Sequence, residues 1–176
     1  MIDRFLRASD RIAYSTAIVA ALACLAMAAM LFVEVITTSF FAWSQPWAVE
    51  YSTYLLAMTL FLGSGWALRA GGHIRVNALL TLLPPPLVRL LDLLGTAFAL
   101  GVIGFAAAAL VEQAIRTYKL GSVSYFPQET PLVVPQALLA LAFVVMALAF
   151  LTRLVRLLRR QAPELDEGGI GPSAVE

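Results

Sequence analysis

The sequence predicts an all-α membrane protein: four transmembrane helices, both termini on the cytoplasmic side, with short amphipathic interfacial helices. Three observations lead there. The chain of 176 residues is 61% hydrophobic and 13% charged, whereas a soluble domain carries about 25% charged residues. Its apolar residues are gathered into four long uncharged runs. Its arginines and lysines alternate between successive segments in a way that gives the runs a direction.

The runs come first. Ile12–Val33, Tyr51–Leu68, Leu93–Val111 and Leu132–Thr152 contain 22, 18, 19 and 21 residues without a charge. A helix rises about 1.5 Å per residue and the hydrocarbon core is about 30 Å thick, so roughly 20 residues suffice. In lipid such a segment must satisfy its own backbone, which makes it a helix. The second run is the shortest, and Trp47 to Glu50 extend it. The spans are therefore placed at about 12–35, 47–68, 90–111 and 132–153, within a transmembrane domain over 1–160. The first run follows a basic start but is too long for a typical signal h-region and lacks a small-residue cleavage site. It is expected to be retained.

Direction follows from the basic residues. Arg4, Arg7 and Arg11 precede the first run. Arg69, Arg75 and Arg89 lie between the second and third, and Arg153, Arg156, Arg159 and Arg160 end the fourth. The first loop, Ile36 to Val49, has no basic residue, and the third has Arg116 and Lys119. Ten basic residues against two predict that both termini face the cytoplasm. Trp43 and Trp47 suit the opposite interface.

Between and beyond the spans, Ile2, Phe5 and Leu6 share a helical face beside Arg4, Arg7 and Arg11, which predicts a short helix lying on the membrane surface. Val76, Leu79, Leu80, Leu82 and Leu83 predict a second interfacial helix, closed by Pro84, Pro85 and Pro86. Pro86 is placed in the first turn of the third span, where its missing N–H costs nothing. The arginines after the fourth run are expected to snorkel and meet anionic lipid. From Gln161 the composition turns acidic and glycine-rich, and 161–176 is expected to be a disordered tail.

Candidate chemistry is sparse. The single cysteine, Cys24, cannot form an internal disulfide or a redox pair. The single histidine, His73, excludes bis-histidine haem ligation and leaves no histidine-based metal cluster. No metal, cofactor or catalytic set is expected, and a net charge of +1 gives no argument for nucleic acid. Four acids, Glu34, Glu50, Asp92 and Glu112, lie at span ends. Glu34 and Glu112 are expected at the interface, Glu50 at a helix start where the dipole favours an anion, and Asp92 beside Arg89 on one helical face. Small residues four apart, Gly63 with Ala67, Ala97 with Gly101, and Gly104 with Ala108, mark faces where helices can approach closely. Gly71 and Gly72 are expected to end the second helix and turn the chain along the membrane.

The stretch from Trp47 to Asn77 carries the most information. Trp47 and Glu50 open the second helix, Gly63 sits within it, and Arg69, Gly71, His73, Ile74 and Val76 follow its end. Thr130, Pro131 and Pro135 precede the last helix. In order and spacing this pattern resembles the small transmembrane subunit of TRAP transporters, the tripartite ATP-independent periplasmic uptake systems, known as the DctQ-like family. Asn77 stands where that family commonly has Asp, and Val133 where many members have Trp. The resemblance implies a scaffold subunit of the bacterial inner membrane. Its partners would be a large permease subunit, which carries substrate and sodium sites, a periplasmic solute-binding protein, and membrane lipid. It also implies that the matching positions serve assembly or partner contact, and that the cargo is an organic acid or similar solute. Two other classes stand beside it on the residues alone. A self-contained, homodimeric four-helix exporter would have to couple protons through Glu34 or Glu50. A redox enzyme would have one Cys and one His to work with.

Overall fold

The computed structural model describes residues 2–72 and 84–163. Among them the chain is all-helical, with four helices: α1 (Ile2–Phe41), α2 (Ala48–Arg69), α3 (Pro85–Leu120) and α4 (Val133–Leu158). Among the described residues there is no strand, and one isolated antiparallel bridge joins Val123 to Pro131. Three helices, α1, α3 and α4, are long and apolar enough to cross a membrane. The 22-residue α2 carries more Ser, Thr, Tyr and Gly. The protein is a multi-pass membrane protein.

The helix ends follow from local chemistry. Pro84 is extended (φ −64°, ψ 146°), and Pro85 and Pro86 fill the first turn of α3, whose N–H groups have no intrahelical acceptor in any case. The helix thus starts one residue before the position expected. Its other end is closed by Gly121 at φ +60°, whose N–H reaches Tyr118 while that of Ser122 reaches Thr117. This is the glycine-capped helix terminus, in which a left-handed residue satisfies the last carbonyls. At the end of α2, Gly71 takes φ +73° and the N–H of Gly72 bonds the Ala67 carbonyl at 2.8 Å. Pro135 lies in the first turn of α4, where proline removes no helical hydrogen bond.

One expectation is overturned. Residues 2–11 do not form a separate surface helix; they are the first three turns of the 40-residue α1. That segment contains no glycine or proline up to Phe41, so nothing breaks the helix between the polar start and the apolar run. Its aspartates are held by arginines of other helices, which directs it along α4 instead of flat on lipid. The second expected interfacial helix, over 73–83, lies outside the described residues. So does the tail beyond Pro163.

The helices pack as a bent row: α1 on α2, α2 on α4, and α4 on α3, with a lighter contact between α1 and α4. The interior is built from small residues. Ala20, Leu62 and Ala142 form one buried cluster with Met58 and Phe61 against it. Leu68, Ala149 and Phe150 form another, joined by Ala99, Leu100, Ile103 and Met146. Gly63 lets α2 approach α1 closely, since a Cβ there would lie 3.6 Å from that of Ala20. A Cβ on Gly65 would touch Val145 and Ala149 of α4. By contrast, Gly101 and Gly104 of α3 meet nothing within 4 Å. Among the described residues, no side chain packs against these two glycines. Phe98 and Phe105, 75% and 78% exposed, also leave α3 with a bare apolar side.

Candidate functional site

The chain's buried polar groups collect at the two ends of the helix row. The end that carries the N-terminus of α1 and the C-terminus of α4 is basic. There Arg153 and Arg156 of α4 are buried, 3% and 6% exposed. Arg153 donates through Nη2 to both oxygens of Asp92 on α3, at 3.1 and 3.2 Å, and through Nε to the Thr96 hydroxyl at 3.3 Å. Arg156 donates to Oδ2 of Asp10 on α1 at 2.6 Å. The other oxygen of Asp10 lies 3.4 Å from Nε of Arg69 on α2. Asp10 thus joins three helices. Arg69 also donates to the Pro163 carbonyl at 2.8 Å, and Arg89 to the Leu157 carbonyl at 3.1 Å.

Beside these pairs, Ser9 and Thr152 share a buried hydrogen bond of 2.7 Å. The Thr152 proton is committed to the Leu148 carbonyl, so the Ser9 hydroxyl is the donor between them. Ser9, Asp10, Arg69, Thr152, Arg153 and Arg156 surround a void of about 10 Å³, too small for more than a single water. At the rim, Arg159 donates to Asp3 at 2.6 Å. That hydrogen bond, with the arginine's charge, holds the exposed Asp3 carboxyl below its ordinary value.

This geometry corrects two sequence readings. The arginines of α4 do not all snorkel to lipid: Arg153 and Arg156 are buried and ion-paired, and Arg159 is paired at the surface. Asp92 takes its guanidinium partner from α4, although Arg89 stands three residues away on its own helix. A buried cation retained without a partner is far more costly than an exposed one, so the carboxylate goes to Arg153.

The far end centres on Glu50, which is 1% exposed. Its Oε1 accepts a 2.7 Å hydrogen bond from the Tyr54 hydroxyl, one turn on. The side chains of Ser124 and Thr130, from the α3–α4 loop, also face the carboxylate, while Oε2 has no partner of good geometry. The loop is closed on itself by the Ser124 N–H on the Thr130 carbonyl (2.9 Å) and meets α2 through a 3.4 Å contact between the Tyr51 and Thr130 hydroxyls. Glu34 accepts from the Ser44 hydroxyl and the Gln45 N–H, tying the α1–α2 loop. Glu112 pairs with Arg116 on the exposed surface of α3.

The positions singled out in the sequence therefore separate. Glu50, Thr130, Pro131 and Pro135 come together at the far end, with Trp47 at the start of α2 and edge-on to Tyr51. Gly63 lies within the α1–α2 contact, and Arg69 belongs to the basic end. Gly71 turns the chain away from α2. His73, Ile74 and Val76 lie outside the described residues. Sequence reasoning missed Ser9, Asp10, Thr152, Tyr54 and Ser124. Of these, Tyr54 carried a readable signal, its i+4 spacing from Glu50.

Among the described residues no cluster of three metal-ligating side chains occurs. No curated protein and no solved structure matches the chain. A family match does exist: the family described as tripartite ATP-independent periplasmic transporters, DctQ component, matches residues 27–160. That region holds part of α1, all of α2, α3 and α4, and both polar ends apart from Asp3, Ser9, Asp10 and Pro163, and the chain belongs to this family of transporter components.

Proposed function

We propose that the chain is the small scaffold subunit of a TRAP-type secondary transporter in the bacterial inner membrane. It crosses the bilayer four times with both termini cytoplasmic. In this reading α2 is the fourth span: its 22 residues extend about 33 Å, and it packs on both α1 and α4. Residues 1–160 form the transmembrane domain and 161–176 an acidic cytoplasmic tail. The partners are a large permease subunit that binds solute and sodium, and a periplasmic solute-binding protein that delivers an organic acid or similar solute.

One observation carries the scaffold role. Among the described residues, buried charge lies at the two ends, and the level between them is filled by Ala20, Leu62, Ala142 and their neighbours. A path for an acidic solute needs polar groups at mid-membrane. A rigid support needs apolar packing locked by ion pairs. The bare side of α3, with Phe98, Phe105 and Gly101, supports a second membrane protein against this chain. Trp47, Glu50, Gly63, Arg69, Gly71, His73, Ile74, Val76, Thr130, Pro131 and Pro135 are proposed to shape that assembly.

The test is affinity purification of the tagged chain in mild detergent, followed by reconstitution. A much larger membrane subunit should co-purify, and the chain alone should move no solute in liposomes. Solute uptake or efflux by the chain alone would overturn the proposal. Orientation is read separately by replacing Cys24 with Ser and placing single cysteines at Ser44 or Arg160. A membrane-impermeant thiol reagent added to intact spheroplasts should label position 44 and not position 160.

A further inference from the structure

We infer that the basic end holds one anionic phospholipid, its phosphate seated in a groove between the start of α3 and the end of α4. The groove is lined by Arg89, Leu157, Arg160, Gln161 and Ala162 and has a volume of about 350 Å³, within the range of small-molecule sites. It is separate from the ion-paired cluster around Asp10, and it depends neither on the permease partner nor on the orientation proposed above.

Charge is the first argument. Among the described residues this end carries nine arginines against three carboxylates, Asp3, Asp10 and Asp92. Those three are committed to Arg159, to Arg156 with Arg69, and to Arg153. No described carboxylate pairs with Arg89 or Arg160. Among the described residues, two guanidinium groups therefore face one groove with no anion of their own. Arginine presents planar, forked donors that match phosphate oxygens.

Backbone is the second argument. Arg160 takes φ +57°, a conformation that glycine adopts freely and a side-chain-bearing residue adopts only at a cost. The strain places an arginine at the groove's edge. The N–H groups of Arg160 and Gln161 are already used by Leu157 and Arg156, so side chains supply the charge and the fold holds them in place.

Surroundings are the third argument. Leu90 and Leu158, sequence neighbours of the lining residues, are 48% and 62% exposed. A ligand with a phosphate head and acyl tails fits such a site; a free anion would leave the leucines bare. Basic pockets between transmembrane helices recognise anionic headgroups by the same combination.

The experiment is native mass spectrometry of the purified full chain, delipidated and then titrated with phosphatidylglycerol or phosphatidylcholine of identical acyl chains. One phosphatidylglycerol should be retained at collision energies that strip phosphatidylcholine. Arg89→Gln and Arg160→Gln should each weaken retention about fivefold, and Arg4→Gln should leave it unchanged. Arg160→Gly separates binding from folding, because it relieves the backbone: its thermal midpoint in detergent should hold or rise while retention falls. Equal retention of the two lipids, or full retention by Arg160→Gly, would overturn the site. A thermal shift produced by inorganic phosphate as large as that of phosphatidylglycerol would overturn the lipid as its occupant.

Discussion

Arg153 and Asp92 face each other across the α3–α4 contact, with both carboxylate oxygens receiving one guanidinium nitrogen at 3.1 and 3.2 Å. The arginine side chain is 4% exposed and the aspartate side chain 25%. Removing one member of such a pair leaves a desolvated charge, which costs about 3–5 kcal/mol when burial is complete. With Asp92 a quarter open, Asp92→Asn should cost about 2–3 kcal/mol. Arg153→Met/Asp92→Leu should recover most of the loss, because neither charge then remains buried. Thermal midpoints in one detergent decide it; a double variant no better than Asp92→Asn would refute the account.

Asp10 joins Arg156 of α4 to Arg69 of α2. Replacing it with Asn removes the charge while keeping the shape, so the buried Arg156 loses its carboxylate and Arg69 loses its contact with α1. The loss should be about 2–4 kcal/mol, since Asp10 is 29% exposed and water screens part of it. Asp3→Asn, at the exposed rim, should move the midpoint little. Similar losses from the two variants would show that burial does not set the energetics of this end.

Legibility in the sequence divides along the same line. Three of the four helices, α1, α3 and α4, were readable because a lipid core demands about 20 uncharged residues and those runs supply them. The turn at Gly71 and, to within one residue, the start of α3 were readable because glycine and proline act locally. Asp10 with Arg156 was not, since the two lie 146 positions apart and only packing brings them together. The continuity of α1 was present in the sequence as an unbroken run of helix-compatible residues. The amphipathic pattern of Ile2, Phe5 and Leu6 fits a separate surface helix equally well. The burial of Glu50 also depended on tertiary structure, because the loop carrying Ser124 and Thr130 folds over a helix start that would otherwise face water.

Two glycines of one helical segment should respond oppositely to the same change. Gly121 sits at φ +60°, and a methyl group added there would meet nothing within 4 Å, so Gly121→Ala should cost about 1 kcal/mol through backbone strain alone. Gly101 lies inside α3, also in open space, and Gly101→Ala should gain about 0.5–1 kcal/mol from reduced backbone freedom in the unfolded chain. Thermal midpoints of the isolated chain read both. Equal signs would mean that side-chain contacts, absent at both positions here, govern the response.

Tyr54 and Glu50 give the sharpest test of the far end. Tyr54 supplies the 2.7 Å hydrogen bond to Oε1, and Oε2 has no partner of good geometry. Tyr54→Phe keeps the ring and removes the donor, so the buried carboxylate is left with Ser124 and Thr130 alone. Losing one partner of a buried polar pair exposes the full desolvation cost of the other, whereas replacing both by apolar groups can be nearly neutral. The single change should therefore lower the thermal midpoint more than Glu50→Leu/Tyr54→Phe does. Glu50→Gln should fall between them, since an amide is cheaper to bury than a carboxylate and still accepts from Tyr54. If Tyr54→Phe matches the parent chain, the hydroxyl is not what supports Glu50, and the α3–α4 loop must do so alone. In that case Ser124→Ala with Thr130→Val should produce the loss instead.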